Sequence, residues 1–249
     1  MRLFLHELRG ELKLYARSRE LAFFTFVLPL IFFLILGSAY GDEEIDGYRG
    51  SDYLLTGMIG YGAAATAFAG LAIVVVIRRE EGILKRLRAT PLPAPTYLAA
   101  LLATTIIAFL LEVVVLIALG VAFLDASFPK AVFSLVLALL LGAAAFAALG
   151  VGLTALIRRA EGASAVINAI YLPVSFLSGA FFSQDSFPRL LTAIADVLPL
   201  SYFIDLMGAV TLEGRAIWEE PLDVAVVAAW GLAGAVLALR GFRWVPTEG

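Results

Sequence analysis

The chain has 249 residues, 61% hydrophobic and only 16% charged, with formal net charge −3 and no cysteine. Soluble domains are roughly 45–50% apolar and about 25% charged, so this composition is that of an integral membrane protein. Disulfides, thiolate metal sites and cysteine nucleophiles are excluded, and the small negative charge gives no reason to expect a nucleic-acid partner.

Residues 1–19 read as an amphipathic helix. Phe4, Leu5, Leu8, Leu12 and Tyr15 cluster on one side, beside a basic stripe of Arg2, His6, Arg9, Lys13 and Arg17. An apolar face beside a basic one, just before a span, suits a helix lying in the cytoplasmic membrane interface, with Arg9, Lys13 and Arg17 towards the headgroups. Glu7, Glu11 and Glu20 precede the first apolar run. That argues against a cleaved signal, whose leading region is basic without acids. The first span is 21–40, and Pro29 inside it frees a carbonyl and permits a kink. The loop 41–52 holds five acids against Arg49 alone. The second span, 53–77, carries Gly62, Thr66 and Gly70 at spacing four, a small-residue stripe that lets helices approach closely.

A polar island, RREEGILKRLRATPLPAPT, occupies 78–96. A segment this charged cannot sit in hydrocarbon, and its basic excess puts it on the cytoplasmic side. Glu81 and Lys85 stand at i,i+4 in the favourable order, while Ile83, Leu84 and Leu87 give a small apolar face. Pro91, Pro93 and Pro95 then forbid a continuing helix. The expected result is a short charged helix stopped by a stiff arm, Thr90 to Pro95, that leads into the next span. An ordinary positive-inside loop needs neither the apolar face nor three prolines, so the island reads as a docking element.

The remaining spans are expected at 97–123, 131–157, 164–182 and 222–239. In the fourth, Ala144, Ala148 and Gly152 form another packing stripe; Pro173 breaks the fifth. Arg158, Arg159 and Glu161 make a tight turn. Residues 183–221 are too polar for a clean span and too apolar for a plain loop. There Ser186 is expected to cap a helix ended by Pro199, and a second short helix to cover 202–212. Together they make a re-entrant or interface-lying outer hairpin. Arg240 and Arg243 mark the tail. Six spans with both termini inside put 14 of the 18 Lys and Arg residues on the cytoplasmic side, as the positive-inside rule requires. The fold class expected is an all-α polytopic membrane protein with six transmembrane helices, an N-terminal interfacial helix, a coupling element between spans two and three, and an outer hairpin between five and six.

Chemistry is sparse. There is no GxxxxGK[ST], HExxH or GxSxG, and His6 is the single histidine; neither nucleotide hydrolysis by a P-loop nor a His-rich metal site is supported. Glu112 is the one ionisable residue deep in a span, which makes it a candidate for the substrate path. Asn168 and Tyr171 in the fifth span are further polar candidates, with bonding across helices as the plainer reading.

At the island the sequence resembles a known family. EEGILKRLRATPLPAPTYLAA (Glu80 onward) is similar to the loop of ABC-2 type exporter permeases, in the small drug-exporter branch that includes the daunorubicin-resistance permease. RSRELAFFTFVLPLIFFLILG and LSGAFFSQDSFPRLLTAIADVLPLSYFIDLMGAVTLEG resemble the family's first-span entry and outer hairpin. Met207-Gly208 stands where the family often has an arginine. The resemblance implies a single ABC-2 type transmembrane domain over 1–249, non-catalytic and binding no cofactor itself. ATP and Mg would sit on a partner. It implies two such subunits, identical or homologous, with two ATP-binding subunits in a prokaryotic inner membrane. The ATPase contact would fall on Glu80, Glu81, Gly82, Leu84, Lys85, Arg86, Leu87, Arg88, Thr90 and Pro91, helped by the interfacial helix. The function implied is ATP-driven export of an amphipathic drug, lipid or glycan-like substrate by alternating access. The alternative is a secondary carrier or channel using Glu112 as an ion or proton site; such carriers pair broken helices in repeated halves, whereas Pro29 and Pro173 lie in spans one and five, which are not matching members of two three-span halves.

Overall fold

A computed structural model describes residues 2–157, 161–184 and 187–241. The expectations resting on Arg158, Arg159, Ser186 and Arg243 lie outside those residues, as does the side chain of Arg88.

The described chain is almost wholly helical. Helix α1 (Arg2–Arg17) is followed by α2, helical through 19–40, with a π turn at Phe23–Val27 ahead of the regular helix Leu28–Tyr40. The π turn sits where Pro29, which has no N–H, leaves the Thr25 carbonyl without its helical donor. Helix α3 (Gly50–Glu80) is also wound wide in its middle, as a π segment at Ala63–Gly70. A short helix α4 (Ile83–Arg88) leads to α5 (Ala94–Phe123) and α6 (Val132–Leu153). Then come α7 (Ala163–Leu177), α8 (Arg189–Ala195), α9 (Pro199–Glu213) and α10 (Pro221–Gly241).

Four of these, α3, α5, α6 and α10, are each long and apolar enough to cross a membrane. The pair α8 and α9, bent by 82°, would make a fifth if counted as one broken span. Two shorter apolar helices, Thr25–Tyr40 and Ala163–Leu177, complete the set. The protein is thus an all-α membrane protein, and the bent pair α8–α9 falls where the sequence led us to expect a helical hairpin. Its boundary differs in one respect: Pro199 opens α9 rather than ending α8. Proline suits the first helical turn, where no backbone donor is required.

Helix α3 is the axis of the bundle. Of its apolar stretch 72% is buried, against 11% for α10. Apolar side chains on α5 and α10, such as Leu111, Val114, Leu232 and Leu239, face outward, as hydrocarbon solvent allows. Helices α6 and α10 pack closely through small residues. A Cβ on Gly234 would lie 2.5 Å from the Leu149 backbone nitrogen, and one on Gly152 2.7 Å from the Gly234 carbonyl oxygen. Of the expected stripe, Ala148 and Gly152 face this seam; Ala144 is exposed and Ala145 takes its place against Gly231.

One element was not expected. Glu44–Ile45 and Tyr48–Arg49 pair as a two-stranded hairpin, β1 and β2. Asp46 and Gly47 at its tip have φ of 52° and 79°, the left-handed pair that a two-residue hairpin turn demands. The acidic loop is also tied down. Asp42 pairs with Arg49 at 2.7 Å, Asp52 accepts from the Ser127 backbone N–H at 2.6 Å, and Tyr48 donates to Glu213 at 2.9 Å. That last bond pushes the Tyr48 phenol pKa up.

Candidate functional site

The polar island divides into two parts. Arg78 and Arg79 belong to the last turn of α3 and turn inward. Arg78 donates from both terminal nitrogens to Glu11, at 2.7 and 2.9 Å, and to the Tyr97 hydroxyl at 2.8 Å. Glu11 is only 4% exposed. A two-pronged guanidinium–carboxylate pair is the strongest side-chain link available here, and it fastens α1 to the junction of α3 and α5. Arg79, 3% exposed, donates to the Thr154 carbonyl at 2.9 Å and to the Ile157 carbonyl. It supplies donors to the carbonyl at the C-cap of α6, Thr154, and to one in the segment that follows, Ile157.

Beyond Glu80 the second part faces outward. Gly82 takes a left-handed conformation, φ 71°, which a side chain would disfavour. It ends α3 and reorients the chain into α4. Glu81 and Lys85 therefore do not share one helix face, and among the described residues they form no salt bridge. In α4, Leu84 is completely buried and Leu87 packs on the core, while Lys85 and Arg86 are exposed. The helix is anchored by its leucines and presents its cations. Thr90 donates its hydroxyl to the Leu87 carbonyl at 2.7 Å, and its Oγ accepts from the Leu92 N–H. The extended arm is shorter than expected: α5 begins at Ala94, with Pro95 in its first turn. Thr90 and Pro91 are exposed.

On α1, Arg9, Lys13 and Arg17 form an exposed stripe. Tyr15, on the other side, hydrogen-bonds Thr25 at 2.6 Å, and burial pushes its phenol up to about 12. Leu5 and Leu14 remain exposed, apolar residues free to enter an interface.

Helices α1, α2, α3, α4, α5 and α7 line a half-open cavity of about 550 Å³. Its wall is mainly apolar with a polar strip of Thr66, Thr104, Thr105, Asn168 and Tyr171, and Glu81 stands at its edge. Glu112 lies behind Thr66, which donates its hydroxyl to Glu112 Oε2 at 2.8 Å. The carboxyl is 1% exposed, and its Oε1 has no hydrogen-bond partner among the described residues. A Cβ on Gly62 would come within 2.7 Å of that oxygen. Of the stripe Gly62-Thr66-Gly70, Gly62 and Thr66 are therefore where α5 seats its acid. Tyr171 lines the cavity; its hydroxyl is 3.5 Å from that of Tyr61, whose ring meets Phe181 edge-on at 5.3 Å.

The structure thus brings Thr66, Asn168 and Tyr171 to one cavity, with Glu112 one side chain behind it, and leaves Arg9, Lys13 and Arg17 on a separate face. Sequence reasoning missed Glu11, Arg78 and Arg79 as internal ties. The signal for Glu11 was present: it follows Phe4 by seven positions and Leu8 by three, on the apolar side of the helix.

The described residues form an apolar helical bundle with a half-open cavity and a short helix, α4, whose Lys85 and Arg86 are exposed. Comparison with known proteins agrees. Residues 2–212 match the family model described as ABC-2 type transporter. YvfS of Bacillus subtilis strain 168, named as a transport permease, is 23% identical over 214 residues, 86% of this chain and 87% of that protein. YbhS of Escherichia coli K12, named as a multidrug ABC transporter permease, is 30% identical over 88 residues, 35% of this chain and 22% of its own length. The chain belongs to the ABC-2 type transporter family, as a non-catalytic, multi-pass permease subunit of the kind that works with a separate ATP-binding subunit.

Proposed function

We propose that the chain is the membrane half of an ATP-driven exporter in the drug-exporter branch. Two permease subunits, identical or homologous, would work with two ATP-binding subunits and move an amphipathic drug, lipid or glycan-like substrate outward. In this reading Glu80 to Arg88 is the surface gripped by the ATPase, Thr90 to Pro93 is the arm, and both termini lie on the cytoplasmic side. The single domain spans 1–249. The cavity beside Thr66, Asn168 and Tyr171, with Glu112 behind, is the substrate path.

One observation carries the reading. Glu11, Arg78 and Tyr97 form one joint that ties α1, the end of α3 and the start of α5 beside the cavity, and α4 follows the end of α3 directly through Gly82. A push on α4 therefore reaches α1, the end of α3 and the start of α5 together. Support for the orientation comes from the sequence, where the six-span reading puts 14 of the 18 Lys and Arg residues on one side. A drug-like substrate is supported by the mainly apolar cavity wall and by the name YbhS carries.

The test is Glu80→Lys combined with Glu81→Lys, reconstituted with the ATP-binding subunit. Transport should fall and ATP hydrolysis should lose its dependence on substrate, while the permease elutes normally. If ATPase binding and transport both survive, α4 is not the grip.

A further inference from the structure

A second pocket, of about 380 Å³, opens at the opposite end of the bundle. Helix α3 gives it Tyr53 and Thr56, whereas the first cavity takes residues from Ala65 to Arg78 of the same helix. At 1.5 Å per residue, Thr56 and Arg78 are about 30 Å apart. This end lies away from the docking surface.

The wall of this pocket is strongly acidic. Asp46, Asp205, Glu213, Glu220 and Asp223 line it, with Arg215 as the one cation among them. Arg215 is already matched: its Nε donates to Glu213 at 2.5 Å and its Nη1 to Glu220. Asp205 and Asp223 make no hydrogen bond or salt bridge among the described residues. A second feature points to a ligand. Ser178, also in the wall, is 1% exposed, and its hydroxyl has no hydrogen-bond partner. A buried hydroxyl left unpaired is costly unless something in the pocket meets it. Tyr48 and Tyr53 complete the wall, their hydroxyls committed to Glu213 and to the Gly179 carbonyl. What they offer an occupant is ring surface.

Unneutralised carboxylates beside tyrosine rings suit an ammonium group, which takes both charge and cation–π contact. The size fits a small molecule rather than a bare ion, and no three acidic or histidine groups among the described residues are placed to hold a metal. We infer that this pocket, between α9, α10 and the β1–β2 hairpin, is a binding site for an organic monocation whose ammonium group sits at Asp205 and Asp223 and whose carbon body lies against Tyr48 and Tyr53. The site stands apart from the cavity of the proposed substrate path and requires neither ATP nor a direction of transport.

The experiment uses the full chain in lipid nanodiscs without the ATP-binding subunit, so its outcome is separate from that of the export reading. Phenethylammonium is titrated calorimetrically, with phenylacetate as the same ring bearing the opposite charge and calcium as an inorganic cation. Phenethylammonium binds and phenylacetate does not. Asp205→Asn with Asp223→Asn weakens binding by about tenfold or more, because the ammonium group loses its charge-assisted contacts. Ser178→Ala weakens it by about threefold. Glu161→Gln, an exposed acid outside the pocket, leaves it unchanged and controls for the loss of a surface charge. The assignment is overturned if the wild-type chain does not bind phenethylammonium, if the double variant keeps the affinity, if phenylacetate binds equally, or if calcium displaces the amine.

Discussion

The tie between Glu11 and Arg78 gives the sharpest expectation. Glu11→Gln keeps the shape of the side chain and removes its charge. The pair is mostly dry, with side-chain exposures of 5% for Glu11 and 16% for Arg78. Breaking a fully buried pair costs about 3–5 kcal/mol, because one charge is left uncompensated. Arg78 keeps its bond to Tyr97 at 2.8 Å and some access to water, so the cost here is about 2–3 kcal/mol, equivalent to roughly 30- to 150-fold in the equilibrium for lifting α1 off the bundle. Hydrogen exchange reads that equilibrium directly. Amides of α1 should exchange faster by that factor, while those in the middle of α3 and α6 stay protected. Arg78→Gln should do the same, and the double variant should cost little more than either single one. Strict additivity, or α1 exchange within about twofold of wild type, would refute the tie.

Two further expectations follow from the interior. Glu112→Gln should leave thermal stability nearly unchanged, because the Thr66 hydroxyl can donate to the amide oxygen as it does to Glu112 Oε2, while transport in proteoliposomes changes; unaltered transport in a well-folded variant removes Glu112 from the substrate path. Gly234→Leu should destabilise by more than about 3 kcal/mol, because its Cβ meets backbone at 2.5 Å and neither helix can yield without separating. A melting temperature within a few degrees of wild type would show that α6 and α10 are not joined at this seam.

The spans were legible because hydrocarbon solvent writes a coarse signal. Runs of apolar residues locate α3, α5, α6 and α10, and clustered arginines and lysines locate the island. The amphipathic period of α1 was readable for the same reason. What the sequence could not show was rotation about each helix axis. Lipid and protein interior are equally apolar, so hydropathy does not say whether Leu111 or Phe109 faces the bundle; the structure exposes the first at 52% and buries the second completely. Without that rotation the partners of Glu11, Arg79 and Glu112 cannot be assigned. The π segments were hidden too, since a wide turn has no residue signature of its own. The hairpin at Asp46-Gly47 was different: its turn dipeptide was present, and the density of acids around it masked the signal.

Glu81 and Lys85 teach a narrower lesson. Their spacing was right for a helical pair, but a glycine stands between them. Once Gly82 adopts its left-handed conformation, the count of four residues no longer measures one turn.

The underwound middle of α3 sets the phase between its two ends. Ala63–Gly70 closes its turns on the fifth residue rather than the fourth. Thr66, facing Glu112, and Arg78, facing Glu11, therefore meet their partners only at this degree of winding. If one wide turn tightened to ordinary α geometry, Arg78 would swing by about 100° around the axis and travel about 1.5 Å along it relative to Tyr53. Contacts of 2.7 and 2.9 Å to Glu11 do not survive such a swing. The helix is thus a screw whose pitch keeps a buried acid, Glu112, and the Glu11–Arg78 latch in step.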